Sequence, residues 1–321
     1  MKFAPIIYLI GMLLCILSLF MLVPAFVDWF YGSENWPAFV GSSISTLFVG
    51  LILFFSNKGS ATEHLELRQA FLLTNSAWIS IALFGSLPFL LSDIEMSFID
   101  AFFESTSGIT TTGATVIENL EAKSHGILIW RALLQWLGGV GIIVMALAVL
   151  PMLSIGGMQL FKTESYETPD KVVPKAASFA AGISIVYITL TVIWALMLWG
   201  AGMPMFDSIA HAMTTLATGG YSTKSESLAA FNSSTIEIII IFGMLVGSLP
   251  FVHYLTLSKN GLKNLIKDDQ VKLFLTMVLF VVLIISLYLS FNKMIYLDAL
   301  RLASFNVVSI IIGTGFGTST F

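Results

Sequence analysis

Residues 98–115 read FIDAFFESTSGITTTGAT, and two later stretches repeat the plan: MFDSIAHAMTTLATGGYST over 205–223 and YLDALRLASFNVVSIIIGTGFGTS over 296–319. Each has an aromatic or apolar pair, an Asp, a short apolar stretch and then a Thr/Gly cluster. Asp100 precedes Gly113 by 13 residues and Asp207 precedes Gly220 by 13. Asp298 precedes Gly315 by 17, four more, close to one helical turn. Recurrence at a near-constant spacing marks a repeated supersecondary unit. One Thr/Gly run alone is a weak signal, because small residues also mark helix contacts in membranes. Three copies in the same setting are a strong one.

That setting is apolar. Of 321 residues, 57% are hydrophobic and 11% charged, with a mean hydropathy of +0.91. Soluble domains carry about 25% charged residues, so a soluble enzyme and a disordered chain are both excluded. Long apolar runs occur near 3–27, 38–56, 69–92, 126–153, 175–202, 234–257 and 271–291. Crossing a bilayer takes about 20 apolar residues, which makes seven candidate spans. The first is too long for a cleaved leader and is read as a retained helix. The stretches 97–112, 205–218 and 297–313 are too short to cross and read as re-entrant half-helices. Each unit is therefore span, half-helix, Gly/Thr loop, span.

Irregular backbone at membrane depth is tolerated only where protein buries it or water lines it. A Gly/Thr loop offers carbonyl and hydroxyl oxygens, hard donors that replace water around a monovalent cation. Gly permits positive φ, so successive carbonyls can turn toward one axis. The C-terminus of a half-helix carries partial negative charge, and an Asp at its start suits an N-cap.

Placing the N-terminus inside puts ten basic residues on the inner segments: Lys2, Lys58, Arg68, Lys162, Lys171, Lys175, Lys259, Lys263, Lys267 and Lys272. Five lie outside: Lys123, Arg131, Lys224, Lys293 and Arg301. The positive-inside rule favours this orientation. The outer side then sums to −7 and the inner to +3, giving the formal −4. Two readings stand for the outer acids, a field that attracts cations and mere solvated loops. The net charge argues against nucleic acid as a partner.

These residues resemble the Trk/Ktr/HKT superfamily of potassium transporters, most closely its TrkH-type membrane subunits. ESTSGITTTGAT (104–115) looks like the first filter, with WRALLQWLGGVGIIVMALAVLPML (130–153) and GGMQLFKTE (156–164) after it. ATGGYST (217–223) looks like the second filter and SFNVVSIIIGTGFGT (304–318) like the third. The resemblance covers essentially the whole chain. It implies an all-α membrane fold of span/half-helix/span repeats around an ion path, like a potassium channel, behind two leading helices. The division it implies is 1–67 for those helices, 68–174 for repeat 1, 175–269 for repeat 2 and 270–321 for an incomplete repeat 3.

The function implied is potassium uptake across a bacterial inner membrane, with the ion as substrate and no cofactor. Transport is channel-like or coupled to protons or sodium. The filter residues implied are Thr111, Thr112 and Gly113; Thr218, Gly219 and Gly220; and Gly313, Thr314 and Gly315. Gly219 and Gly220 compete for the filter position of repeat 2. Gly113, where a Ser would go with sodium permeation, leans toward potassium. The third loop lacks two of the usual threonines. Asp100, Glu104, Asp207 and Asp298 are expected as half-helix caps or outer-mouth acids. A homodimer in the lipid bilayer and a cytosolic nucleotide-binding regulatory subunit are the further partners implied.

The family's chains carry four repeats. This one is expected to be a truncated member, unable to seal a pore alone. Its alternative role is a non-conducting piece that assembles with a full-length subunit.

Other residues have simpler readings. His211, on the second half-helix, reads as a structural histidine. His64, His125 and His253 show no metal spacing. Arg131 pairs with Glu118 or Glu121, or snorkels. Gly138, Gly139 and Gly141 read as close helix packing, with no nucleotide-loop order. Cys15 is a packed or lipid-facing thiol. The segment 258–272, with four lysines, meets anionic lipid or a regulatory subunit. No Ser/His/Asp grouping, H-E-x-x-H or intramembrane carboxylate pair is present, which argues against an enzyme.

Overall fold

The computed structural model describes residues 3–60, 67–149, 172–251, 253–255 and 267–318. Lys2, His64, Lys162, Lys171, Lys259, Lys263 and the stretch 156–164 lie outside the described residues. Those described are helical, with no strand among them: α1 (Ala4–Phe20), α2 (Leu22–Phe30), α3 (Trp36–Ser56), α4 (Leu67–Gly85), α5 (Leu87–Leu91), α6 (Phe98–Ile109), α7 (His125–Val149), α8 (Val172–Gly200), α9 (Met205–Leu216), α10 (Ser234–Ser248), α11 (Asp269–Phe291) and α12 (Tyr296–Ile312).

Five stretches are long and apolar enough to cross a membrane: Ala4–Phe30, Trp36–Ser56, Arg68–Leu91, Ala180–Gly200 and Asp269–Phe291. They match five of the seven runs. The run at 126–153 is helical through Val149, and the run at 234–257 contributes the 15-residue α10. The three short stretches form α6, α9 and α12, of 12, 12 and 17 residues.

The chain forms two compact units. The first holds 1–110, 114–117 and 122–178, and the second holds 111–113, 118–121 and 179–321. In the first unit α1 and α3 meet through glycine. A side-chain carbon on Gly11 would lie 2.6 Å from Phe54 N, and one on Gly50 would lie 2.9 Å from Cys15 Sγ. Small residues let helix backbones approach in this way. Ser43 Oγ crosses the contact to donate to Ser18 O at 2.7 Å. Buried Asp28 accepts from Gly126 N–H at 2.5 Å and Ser124 Oγ at 3.0 Å, fixing the start of α7. Trp130 Nε1 donates to Gly85 O at 3.0 Å, satisfying a carbonyl where α4 gives way to α5.

In the second unit Trp194 on α8 donates to Ile239 O on α10 at 3.0 Å, and a carbon on Gly243 would crowd its indole. Asp268 caps α11, accepting from Gln270 N–H at 2.8 Å and Val271 N–H at 3.2 Å. Beyond that cap α11 turns much of its apolar surface outward, with Leu273 72% and Phe280 63% exposed, as a lipid-facing helix does.

Candidate functional site: three half-helix loops

Each half-helix stops for the same local reason. After α6, Thr111 has φ +57° and Gly113 φ +82°. After α9, Thr218 has φ +50° and Gly220 φ +77°. After α12, Gly313 has φ +82° and Gly315 φ +85°. Two left-handed residues flanking one ordinary residue cannot continue a right-handed helix. The threonines hold this conformation against steric cost, since a β-branched residue at positive φ is an outlier. Such outliers cluster at functional sites. Gly219 N–H closes onto Thr214 O and Thr314 N–H onto Ser309 O, both at 2.9 Å, which ends the last turn identically in repeats 2 and 3.

The shared pattern aligns 111–113, 218–220 and 313–315. It makes Gly220 the counterpart of Gly113 and Gly315, and Gly219 the middle residue. Thr314, middle residue of the third loop, corresponds to Thr112. Gly313 replaces only the strained Thr of the other loops.

In the second unit the loops lie side by side. A side-chain carbon on Gly113 would collide with Gly219 O, and one on Gly220 with Thr314 O. At both positions only hydrogen fits. Thr314 is fully buried, and its Oγ1 has no hydrogen-bond partner among the described residues. The loops thus gather closely spaced carbonyl oxygens and an uncommitted hydroxyl, a hard-oxygen set suited to a monovalent cation and unsuited to a soft metal. Among the described residues no His/Cys/Asp/Glu cluster is placed to hold a metal.

The helices behind the loops are packed as closely. A carbon on Gly138 of α7 would collide with Ile109 O, the last residue of α6. One on Gly247 of α10 would lie 2.8 Å from Leu216 O, the last residue of α9. Gly138 is therefore a packing glycine, while at Gly141 no atom of the described residues lies within 4 Å of where a side chain would start.

The acids need correction. Asp100, Asp207 and Asp298 are not N-caps. The caps are Ser97, Pro204 and Ile295, and each Asp sits three residues inside. Ser97 Oγ accepts from Asp100 N–H at 3.2 Å and donates to its carboxylate at 2.7 Å. Asp207 is buried and accepts from Thr223 Oγ1 at 2.6 Å. Asp298 lies 3.7 Å from Arg301, whose guanidinium also reaches Ser234 Oγ at 3.0 Å and Glu237 at 2.9 Å.

Glu104 is not an outer-mouth acid either. It is fully buried, and Arg131, 1% exposed, donates to it from Nε at 2.7 Å. Arg131 therefore pairs with Glu104. Those two positions are 27 apart on different helices, and no sequence spacing links them. His211 is a structural histidine, with Nδ1 2.8 Å from Asp207 O and Nε2 3.0 Å from Ser222 Oγ.

Past the loops the chain ties itself together again. Ser225 donates to Glu121 from its N–H at 2.8 Å and its Oγ at 2.6 Å. Leu228 N–H donates to Gly317 O at 3.1 Å, and Gly317 N–H to Ser227 Oγ at 3.2 Å. These bonds join the segments that follow the first and second loops, then the second and third.

Half-helices that end in matched left-handed loops, set among apolar helices of membrane-crossing length, define a pore-loop membrane protein. The family described as "TrkH: Cation transport protein" matches residues 36–317. The Trk system potassium uptake protein TrkH of Salmonella typhimurium is 38% identical over the whole chain and 67% of its own length. The Trk system potassium uptake protein TrkI of Halomonas elongata is 35% identical over the whole chain and 65% of its own length. The crystal structure of the potassium transporter TrkH from Vibrio parahaemolyticus superposes with a TM-score of 0.90 at 36% identity, over 99% of this chain and 66% of that one. The chain belongs to the TrkH family of cation transport proteins. It spans about two thirds of the length of these relatives.

Proposed function

We propose that the chain carries potassium ions across a bacterial inner membrane as the translocating subunit of a Trk-type uptake system. The observation that carries this reading is the loop pattern: paired positive-φ residues in all three loops, with Gly113 and Gly220 each abutted by the next loop's carbonyl oxygen. Backbone oxygens held at fixed spacing replace part of an ion's hydration shell, and the cost of holding them apart is met by the surrounding fold rather than by the ion. The C-terminal ends of the half-helices add partial negative charge at the loops. Relatives named as Trk system potassium uptake proteins support the choice of ion. A membrane potential supplies about 2.3 kcal/mol per charge per 100 mV, enough to drive accumulation.

The same reading places the N-terminus in the cytoplasm, a homodimer in the membrane and a nucleotide-binding regulatory subunit on the cytosolic side. The deciding experiment is potassium uptake by cells stripped of their own uptake systems and producing this chain with its system partners. Uptake is expected to saturate with potassium and to exclude sodium. Gly113→Ser is expected to lower the potassium-to-sodium ratio, and an unchanged ratio would remove Gly113 from the filter.

A further inference from the structure

One side chain per half-helix reaches the strand that leaves its loop. Counting nine residues back from Gly113, Gly220 and Gly315 gives Glu104, His211 and Asn306. The Glu104 carboxylate accepts from Thr115 Oγ1 at 2.9 and 3.0 Å and from Val116 N–H at 3.0 Å. His211 Nε2 is bonded to Ser222 Oγ at 3.0 Å. Asn306 Nδ2 donates to Thr318 Oγ1 at 3.3 Å and to Leu302 O at 3.0 Å. Thr115 and Ser222 lie two residues past their glycine, and Val116 and Thr318 lie three past.

All three side chains are buried, at 0%, 0% and 8% exposure. A buried polar group is costly unless it is bonded. A position needed only for packing would take an apolar residue. Here three chemically unlike polar residues occupy one structural position and hold the same stretch of chain. Further anchors repeat beside them. Ser107 Oγ donates to Ala114 O at 2.6 Å and Ser309 Oγ to Phe316 O at 2.8 Å, each six residues before its glycine and reaching one past it.

We propose that Glu104, His211 and Asn306 are positioning residues that tether each exit strand to its own half-helix, setting the spacing of the filter oxygens and so the choice among monovalent cations. The inference rests on the filter reading above. The first tether differs from the others in being ionic. Arg131 on α7 pairs with Glu104 at 2.7 Å and so ties the first half-helix to the helix that follows it.

The test uses the full chain with Thr115→Val, Thr115→Ser and Glu104→Gln. Thr115→Val removes the hydroxyl from both Glu104 and Ile117 N–H, which it accepts at 3.1 Å, while leaving the ion pair intact. Two quantities are read: amide exchange of 114–116 in purified protein, Ile117 being left out because its N–H bonds the Thr115 hydroxyl directly, and the potassium-to-sodium uptake ratio in cells, each at matched amounts of inserted protein. Thr115→Val is expected to raise exchange by about tenfold, the hydroxyl's bonds to Glu104 and from Ile117 N–H both being lost, and to lower the ratio several-fold. Thr115→Ser is expected to restore both, and Glu104→Gln to act in the same direction as Thr115→Val.

Unchanged exchange in Thr115→Val overturns the tether. Raised exchange with an unchanged ratio overturns its role in selectivity, as does failure of Thr115→Ser to restore the ratio. If the unaltered chain takes up neither ion, the transport reading fails, and exchange still decides the tether.

Discussion

Gly113 abuts the carbonyl oxygen of Gly219, so closely that no side-chain carbon fits between them. Gly315, with the same left-handed backbone, has no atom of the described residues within 4 Å of where its side chain would be. Alanine at 113 therefore meets a collision as well as backbone strain, and alanine at 315 meets strain alone, of about 1–2 kcal/mol. Gly113→Ala, like Gly113→Ser, is expected to displace Gly219 O and to lower both stability and ion selectivity, whereas Gly315→Ala lowers stability less. Equal losses in a thermal unfolding comparison would contradict the difference in surroundings.

The Glu104–Arg131 pair is buried on both sides. Arg131→Met strands a buried carboxylate and is expected to cost about 3–5 kcal/mol. Adding Glu104→Gln should recover part of that loss, because the stranded charge is gone. The chain's single cysteine, Cys15, sits against Gly50 and gives a convenient reporter through its reactivity on heating. A double variant less stable than Arg131→Met alone would contradict the pairing.

Strain at Thr111 and Thr218 predicts an inverse pair of substitutions. Thr218→Gly should stabilise by about 1 kcal/mol, and Gly313→Thr should destabilise by a similar amount. The comparison is made by unfolding in detergent. Opposite signs in the two variants are the expected result.

Ser97, not Asp100, caps α6. Ser97→Ala is expected to cost about 1 kcal/mol. Asp100→Ala should cost less, since it removes a favourable first-turn charge and an exposed hydrogen bond from Ser97 Oγ but leaves the cap in place. The order of the two unfolding midpoints checks the assignment.

Glu121 is held below the usual carboxylate range by the Ser225 hydroxyl and N–H that donate to it. A depressed folded-state value means the stabilisation is present above the ordinary value of about 4.5 and is lost as pH falls through the lower one. The protection of the Ser225 amide in the native chain, relative to Glu121→Gln, should be constant near neutrality. It should then shrink only below about pH 4.5. A difference that fades already between pH 7 and 5 would point to another group.

The helices and loops were legible in the sequence because each rests on one local rule. Apolar runs announced the crossing helices, and Gly113, Gly220 and Gly315 announced left-handed backbone, with neighbouring chain coming close at the first two. The braces were not legible. Glu, His and Asn share no chemistry as letters, and the repeat was registered on its aspartates. Counting from Asp298 lands on Leu302 where counting from Gly315 lands on Asn306. The same aspartates looked like caps because Asp is common at both the cap and the first turn. For Arg131 the sequence offers only acids near it or a snorkelling side chain, whereas Glu104, the partner seen, lies on another helix. The choice between Gly219 and Gly220 needed dihedral angles, since both are glycine.

Measured from its glycine, α12 starts four residues earlier than α6 or α9, while its loop and brace keep their register. The added turn sits at the end far from the loop. A half-helix of this design behaves as a calibrated tip on an adjustable shaft: length can be gained or lost at its start in whole turns without retuning the chemistry at its finish. Drift among the repeats is then free to accumulate at the starts of the half-helices, and a grafted or shortened α6 or α9 should be cut there.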